Sequence, residues 1–267
     1  MVKARIVVGT NGSSGSVAAV RWAAAEARLR DAELRVVVAY HRRAPSNTAF
    51  GPPSGPAETA GTIHDAVTQA RSVAPGIDVG AVAMPGYAVP VLLHAAEGAA
   101  LLVVGERGGG ALPGLGFGAV SSQVATQARC SVVVVRGRPD CDSGPVVVGV
   151  DDSPATDSVI GRAFEEAALH GAPVLAVTAG PDRPGQAAEA LGADLDSRLD
   201  QWRQKYQSVS AQREYVNGRP DKVLVENCRE ARLAVVGPRR HGFQGVLLGS
   251  VGTRLLRRAD CPVLIAR

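Results

Sequence analysis

Two glycine-rich loops in this chain have the composition and setting of phosphate-binding loops. The first runs from Gly105 through Gly108 to Gly118, after the apolar run LLVV and before a stretch of helical period. Glycines let the backbone approach a ligand closely, and the free N–H groups and partial positive charge of a helix N-terminus suit a phosphate. The loop has neither the GK[ST] ending of a Walker A loop nor the GxGxxG order of a dinucleotide fingerprint. By itself it is consistent with a phosphate site or with a plain connector.

The second loop repeats this arrangement with changes that bear on phosphate binding. It runs from Gly237 to Gly249 and Ser250, which open another helical stretch. It is one residue shorter than the first loop and lacks the middle glycine, because residues 238–240 read PRR. A Cβ or a shortened turn at this point hinders the approach of the backbone to a phosphate, although Arg239 and Arg240 can supply charge. We therefore predict that the first half is the better phosphate binder.

Each half also opens with an apolar run that ends in a polar loop. The run IVVGTNGS places Asn11 after Gly9, and VVVGVDDS places Asp151 and Asp152 after Gly149. Paired carboxylates can serve acid–base chemistry or hold Mg²⁺, but they can also stabilise the first turn of the following helix. The helix interpretation is the simpler one, and the four cysteines show no spacing typical of a metal site. We predict neither a metal site nor a catalytic residue.

The elements that position these loops occur in the same order in both halves. Motifs of the first half recur about 130 to 140 positions later, which is the length of one domain. Short Val- and Leu-rich runs alternate with helical stretches, as in parallel strands joined by crossover helices. The strand candidates are 5–9, 34–40, 77–83, 100–105, 131–136, 145–150, 173–178, 209–216, 232–236 and 262–266. The helix candidates are 16–30, 57–73, 86–97, 119–129, 154–170, 185–207, 219–230 and 250–259. The sequence predicts an α/β fold with two five-stranded parallel sheets, each covered by helices on both faces.

The composition argues against several classes of partner. Hydrophobic residues make up 46% of the 267 residues, enough for an ordinary core in each half. The 29 basic and 25 acidic residues are interspersed and only 4% of residues are aromatic, so we predict no nucleic-acid partner. No apolar run approaches the roughly 20 residues of a membrane-spanning helix, and the first apolar run is too short for a signal peptide. We expect no membrane association and a cytoplasmic location.

The set of motifs as a whole resembles the universal stress protein family. The spacing Gly105-x2-Gly108-x9-Gly118 resembles the phosphate loop of that family, and GTNGS and GVDDS resemble its first loop, Gly-x-Asp-Gly-Ser. The resemblance covers essentially the whole chain twice, so the chain is identified as a tandem member of the family, a form typical of actinobacteria. It implies two Rossmann-like domains of the HUP type, residues 1–138 and 145–267, each with strand order 3-2-1-4-5.

The resemblance also implies a set of ligand contacts. Members of the family's nucleotide-binding branch hold ATP, with the first-loop position toward the nucleoside and the glycine loop around the phosphates. Carried onto this chain, the set is Asn11, Ala39, Gly105, Gly108, Gly118 and Ser121 in the first half, and Asp151, Gly237, Gly249 and Ser250 in the second. Asn11 stands where the family has Asp, and Ala119 stands where it has Ser or Thr. Ser121 could partly supply that missing hydroxyl.

Two functions follow from this resemblance. The first is a non-enzymatic stress-response regulator that binds adenine nucleotide, ATP with or without Mg²⁺, at partly degenerate sites. The alternative is an interaction scaffold that has lost ATP binding and acts on an unknown protein partner. An ATP-hydrolysing or adenylating enzyme ranks third, because no general base or Walker B aspartate accompanies the glycine loops.

The last strand of each half is also expected to take part in assembly. An unpaired apolar edge strand is a liability, so residues 132–135 and 263–265 are predicted to pair. The pairing would form a pseudo-dimer within one chain or a homodimer of two chains.

Overall fold

The chain divides into two compact units, Met1–Pro139 and Asp140–Arg267, and each contains five parallel strands. The computed structural model of the protein describes residues 3–40, 56–106, 118–141, 143–151, 153–181, 186–240 and 246–267.

The first unit alternates strands and helices along its whole length. Its elements are β1 (Arg5–Gly9), α1 (Ser14–Leu29), β2 (Glu33–Tyr40), α2 (Pro56–Val73), β3 (Val79–Pro85), α3 (Ala88–Ala95), β4 (Leu101–Gly105), α4 (Ala119–Gln127) and β5 (Ser131–Val135). Helix α1 begins where the side chain of Ser13 accepts a hydrogen bond from the backbone N–H of Ser16. Such a cap satisfies one of the N–H groups that a helix leaves open at its start.

The second unit repeats this order and adds one hairpin. Its elements are β6 (Val146–Gly149), α5 (Thr156–His170), β7 (Val174–Gly180), α6 (Gln186–Lys205), β8 (Ala211–Asn217), α7 (Pro220–Asn227), β9 (Leu233–Val236), β10 (Arg239–Arg240), β11 (Val246–Leu247), α8 (Ser250–Arg258) and β12 (Val263–Ile265). Helix α5 ends at Gly171, whose φ of 59° lies in the left-handed region that glycine adopts readily. Helix α7 begins at Pro220, a residue whose fixed φ suits the first helical position.

The strand order confirms the predicted fold class. In the first unit the strands lie in the order β3-β2-β1-β4-β5, and in the second in the equivalent order β8-β7-β6-β9-β12. The central strand of each unit, β1 or β6, is buried along its apolar residues, as expected when helices cover both faces of a parallel sheet.

Two glycines show directly that helices lie on opposite faces of the first sheet. A Cβ on Gly9 would meet the side chain of Leu92 in α3, whereas a Cβ on Gly105 would meet the backbone of Gly15 in α1. Gly9 and Gly105 lie one register position apart on neighbouring strands, so their side-chain directions oppose each other. In the second unit, Gly149 and Gly237 make the same alternation toward Leu224 of α7 and Val159 of α5.

The hairpin of β10 and β11 is the one described element that the sequence patterns did not indicate. Its strands pair antiparallel, with Arg239 opposite Leu247 and Arg240 opposite Val246. Two-residue strands are too short to show the alternation of apolar and polar residues that predicts a strand, so this segment was expected to be a loop. Across the described ranges, the structure contains no helix with the length and apolar character needed to cross a bilayer.

Candidate functional site

A cavity of about 630 Å³ opens in the second unit where the parallel strands end. It lies at the carboxyl ends of β6, β7 and β9, next to the point where the strand order changes direction between β6 and β9. Ligands of open α/β sheets bind in the crevice at such a switch point. The first turns of α5, α7 and α8 complete the cavity wall.

Asp151 lies on the cavity wall in the loop between β6 and α5. Its Oδ1 accepts a hydrogen bond from the backbone N–H of Ser153 at 3.1 Å, and its carbonyl oxygen accepts one from the hydroxyl of Thr156. Thr156 Oγ1 also lies 3.3 Å from Asp151 Oδ1. Both side-chain contacts use Oδ1 and the residue is exposed, so the second carboxylate oxygen can face a ligand.

Asn11 holds the equivalent loop of the first unit in the same way. Its Oδ1 accepts a hydrogen bond from the backbone N–H of Ser13 at 3.2 Å. The neighbouring Thr10 is buried, and its hydroxyl lies 3.0 Å from Ser16 Oγ and accepts from the N–H of Gly12. The amide oxygen of Asn11 therefore does the structural work that a carboxylate oxygen does in the second unit.

The glycine loop of the first unit is described at its two ends. A Cβ on Gly105 would lie 2.3 Å from the carbonyl oxygen of Gly15, so this glycine permits the close approach of β4 to α1. Gly118 is the N-cap residue of α4 and has no side chain that could accept a hydrogen bond from the first turn of the helix. Ser121 is only 2% exposed, and its hydroxyl lies within hydrogen-bond distance of the carbonyl oxygens of Gly118 and Glu106. Gly108 lies outside the described residues.

The corresponding residues of the second unit are described and mostly line the cavity. Gly237 follows β9, and a Cβ there would lie 2.8 Å from the side chain of Val159. Gly249 is the N-cap residue of α8 and has no side chain that could accept a hydrogen bond from the first turn of the helix. Gly249, Val251 and Gly252 face the cavity, whereas Ser250 is exposed and is not part of the wall.

Strand register identifies a cavity residue that the sequence analysis missed. Val8 pairs with Val36 in the first unit and Val148 pairs with Ala176 in the second, so Ala39 corresponds to Ala179. Ala39 lies at the end of β2, and its counterpart Ala179 lines the cavity at the end of β7. Counting from the repeated first loops would have found Ala179, because both alanines follow their loop position by the same number of residues.

An ion cluster joins α7 to α8 beside the cavity. Arg219 donates two hydrogen bonds of 3.1 Å to the carboxylate of Asp221, and Arg254 of α8 lies 3.3 Å from the same group. The hydrogen bonds from Arg219 hold the pKa of Asp221 below its ordinary value of 3.8. The cluster of one carboxylate and two guanidinium groups carries a net positive charge.

The first unit has no such cluster at the matching positions. Aligning Gly86 with Gly218 and Gly118 with Gly249 puts uncharged residues there, namely Tyr87, Val89 and Gln123. The surroundings of the two sites therefore differ in charge, although the backbone arrangement is shared.

Fold and site together define a doubly wound α/β protein with an open crevice at its switch point. The Universal stress protein family model matches residues 4–136 and 143–267. The chain therefore belongs to the universal stress protein family, in its tandem form.

Relatives and solved structures extend the match over the whole chain. The chain is 34% identical over 284 residues to Universal stress protein Rv2623 of Mycobacterium tuberculosis, covering 98% of this chain and 96% of the relative. It is also 34% identical over 290 residues to a universal stress protein of Mycolicibacterium smegmatis, with the same two coverages. A solved universal stress protein from Archaeoglobus fulgidus aligns over 98% of both chains with a TM-score of 0.71 at 18% identity, a similarity of fold.

Proposed function

We propose that this protein binds an adenine nucleotide, ATP, in the cavity of its second unit and acts as a non-enzymatic regulator of stress physiology. The observation that carries the proposal is the cavity itself, which has a phosphate-compatible end and an apolar end on opposite sides of β6. Its volume of about 630 Å³ falls within the range of about 300–1,000 Å³ that small-molecule sites occupy.

The phosphate-compatible end is the N-terminus of α8. Gly249 and Gly252 bring backbone rather than side chains to the cavity there, and the N–H groups of the first helical turn, which the N-cap glycine does not engage, can donate to anionic oxygens. The cluster of Arg219, Asp221 and Arg254 adds net positive charge beside this end. A triphosphate would therefore be favoured both by hydrogen bonding and by long-range attraction.

The opposite end, at β7 and β8, suits a nucleobase. Ala179 and Tyr215 lie on this side, and Pro220 and Leu224 of α7 provide apolar surface. Asp151 lies between the two ends, on the loop that leaves β6, where a ribose hydroxyl can donate to its carboxylate. The family's nucleotide-binding branch, whose members hold ATP, has the first-loop position toward the nucleoside and the glycine loop around the phosphates. This agrees with the order of phosphate, ribose and base proposed here.

A regulatory role follows from binding alone. A ligand that binds one conformation of a protein more tightly than another shifts the population toward that conformation, without any chemical step. The polar groups that line the cavity serve to hold phosphate and ribose, and we assign none of them to catalysis.

The cheapest test is the nucleotide content of the purified protein. Heat-released extract should absorb as adenine, and calorimetry on the stripped protein should give saturable ATP binding. No adenine in the extract, and no binding at millimolar ATP, would favour the nucleotide-independent scaffold instead.

A matched pair of variants decides which unit binds. Val251 and its counterpart Val120 are the second residues of α8 and α4, where a glutamate would suit the helix dipole and repel a phosphate. Val251→Glu should weaken ATP binding at least about tenfold, and Val120→Glu should leave it unchanged. The opposite result would assign the working site to the first unit, as the intact glycine spacing Gly105, Gly108 and Gly118 predicts.

A further inference from the structure

Thr178, a residue of the second unit's cavity wall, has a buried hydroxyl that no described residue engages in a hydrogen bond. It lies on β7, two residues before the strand ends, and is one of the residues that line the cavity. Its Oγ1 is shielded from solvent and forms no hydrogen bond with any described residue. Because buried polar groups are almost always hydrogen-bonded, a hydroxyl in this state calls for a missing partner.

The first unit has the same pair of neighbouring residue types, threonine and valine, but each lies on the other strand of the pair. Strand register places Thr10 beside Val38, and the equivalent positions of the second unit hold Val150 and Thr178. In the first unit the hydroxyl lies at the end of β1, where Ser16 and Gly12 satisfy it. In the second unit it lies on β7, where it forms no hydrogen bond with a described residue.

The fold does not require a hydroxyl at this position. Val38 is fully buried in the first unit, and valine has nearly the shape of threonine. An apolar side chain of that shape would therefore complete the β7 wall without leaving a polar atom unsatisfied. The packing of the sheet therefore does not by itself account for a hydroxyl at Thr178.

The neighbouring side chains indicate where its partner would lie. Thr178 pairs with Tyr215 on β8, so the two side chains share one face of the sheet. Tyr215 also lines the cavity, but its hydroxyl already donates to the carbonyl oxygen of Pro181. Of the two hydroxyl groups, only that of Thr178 is engaged by no described residue, and in the observed rotamer it is shielded from the cavity.

The order of the strands then indicates which part of a nucleotide would lie next to Thr178. Strands β7 and β9 lie on opposite sides of β6, and the N-terminus of α8 follows the chain that leaves β9. A nucleotide with its phosphates at α8 and its ribose near Asp151 extends its base toward β7. Rotation about χ1 of Thr178 exchanges its hydroxyl and methyl between staggered positions and can turn the hydroxyl to the cavity.

We infer that Thr178 is a specificity residue whose hydroxyl bonds the polar edge of the nucleobase in the second unit. The inference rests on the proposed function, because it takes the ligand to be a nucleotide. It goes further in giving the two units different base recognition, since Val38 offers the first unit no hydroxyl at this place.

The test compares two substitutions and two probes in the full chain that carries Val120→Glu, so that the second unit alone is measured. Thr178→Val removes the hydroxyl and keeps the shape, and Thr178→Ser keeps the hydroxyl. By calorimetry, Thr178→Val should weaken ATP binding about three- to tenfold, the effect of one neutral hydrogen bond. Thr178→Ser should retain most of the affinity. Inorganic tripolyphosphate, which has no base, should bind all three proteins equally.

Thermal unfolding without ligand separates recognition from structure. Thr178→Val should melt at the same temperature as the parent or higher, because it removes an unsatisfied polar atom. A lower melting temperature would show that the hydroxyl supports the fold, and equal loss of ATP and tripolyphosphate would show an effect on the phosphate end. Either result overturns the inference. ATP binding that Thr178→Val leaves unchanged would overturn this inference alone, whereas no ATP binding by the parent protein would overturn it together with the proposed function.

Discussion

Asn11 and Asp151 stabilise equivalent turns in the two units, but only the Asp151 side chain is a carboxylate. Each accepts a backbone N–H through Oδ1, from Ser13 at 3.2 Å and from Ser153 at 3.1 Å. An amide oxygen and a carboxylate oxygen are thus interchangeable for the turn. The negative charge of Asp151 is therefore available for a role beyond local structure, and contact with a ligand hydroxyl would be such a role.

Replacing Asp151 with Asn separates these two roles. Asp151→Asn should leave the urea unfolding midpoint nearly unchanged, because Oδ1 can still accept from Ser153. It should weaken ATP binding by about 1 kcal/mol, roughly fivefold, since hydrogen bonds to charged groups are stronger than neutral ones. Calorimetry with ATP measures the loss.

The reciprocal change, Asn11→Asp, is the matched control. It should leave ATP binding to the second unit unaltered and the fold of the first unit intact. An Asp151→Asn variant that binds ATP as tightly as the parent would contradict a carboxylate–ribose contact.

At the scale of elements, the end of β4 can lie close to the start of α1 because residue 105 is a glycine and has no Cβ. A Cβ on Gly105 would lie 2.3 Å from the carbonyl oxygen of Gly15 and 3.0 Å from the backbone nitrogen of Ser16. Backbone atoms cannot move aside as a flexible side chain can. The contact therefore sets the distance between two elements whose ends carry the site predicted for the first unit.

Gly105→Ala should consequently destabilise the first unit by about 1–3 kcal/mol, the usual effect of overpacking. Gly80 provides the control, because it lies in β3 of the same unit and a Cβ there would meet no atom within 4 Å. Gly80→Ala should be neutral or should stabilise by about 0.4–1 kcal/mol, because alanine lowers the conformational entropy of the unfolded chain. Urea unfolding of both variants measures the difference, and equal midpoints would rule out the close approach of β4 and α1.

At the scale of the whole molecule, one fold occurs twice with different surroundings for its site. The two units share strand order, loop contacts and the glycines that end β1, β4, β6 and precede α4 and α8. They differ in the helix beside the glycine loop, which reads AVSSQVATQ in the first unit and SVGTRLLRR in the second. The duplication therefore preserves the framework while the charge around each site has changed.

The pairing of the two last strands, β5 and β12, remains a prediction from the sequence. Strands β5 and β12 are apolar and are the last strands in the order of their own units. If they pair, the separate halves 1–138 and 145–267 should self-associate, because each half then exposes an unsatisfied strand edge. Sedimentation of each half, with the intact chain at equal concentration as the control, measures this. Monomeric halves at high concentration would contradict the pairing.

Local sequence patterns were enough to predict the helices and the ten longer strands, in their order along the chain. The predicted strands 5–9 and 100–105 match β1 (Arg5–Gly9) and β4 (Leu101–Gly105), because continuous apolar runs bounded by glycine are a local signal of buried strands. The repeated motifs likewise indicated two copies of one α/β fold. The short strands β10 and β11 carry no such signal and were missed.

Only the tertiary structure decided which residues meet at the site. Ala179, Tyr215 and Leu224 are distant in sequence and reach one cavity because parallel strands end at the same edge of a sheet. That the Thr178 hydroxyl bonds no described residue depends on every atom packed around it, and the local sequence V-T-A does not indicate it. Periodicity along the chain determines the elements, whereas contacts between residues far apart in sequence determine the cavity and what remains unsatisfied within it.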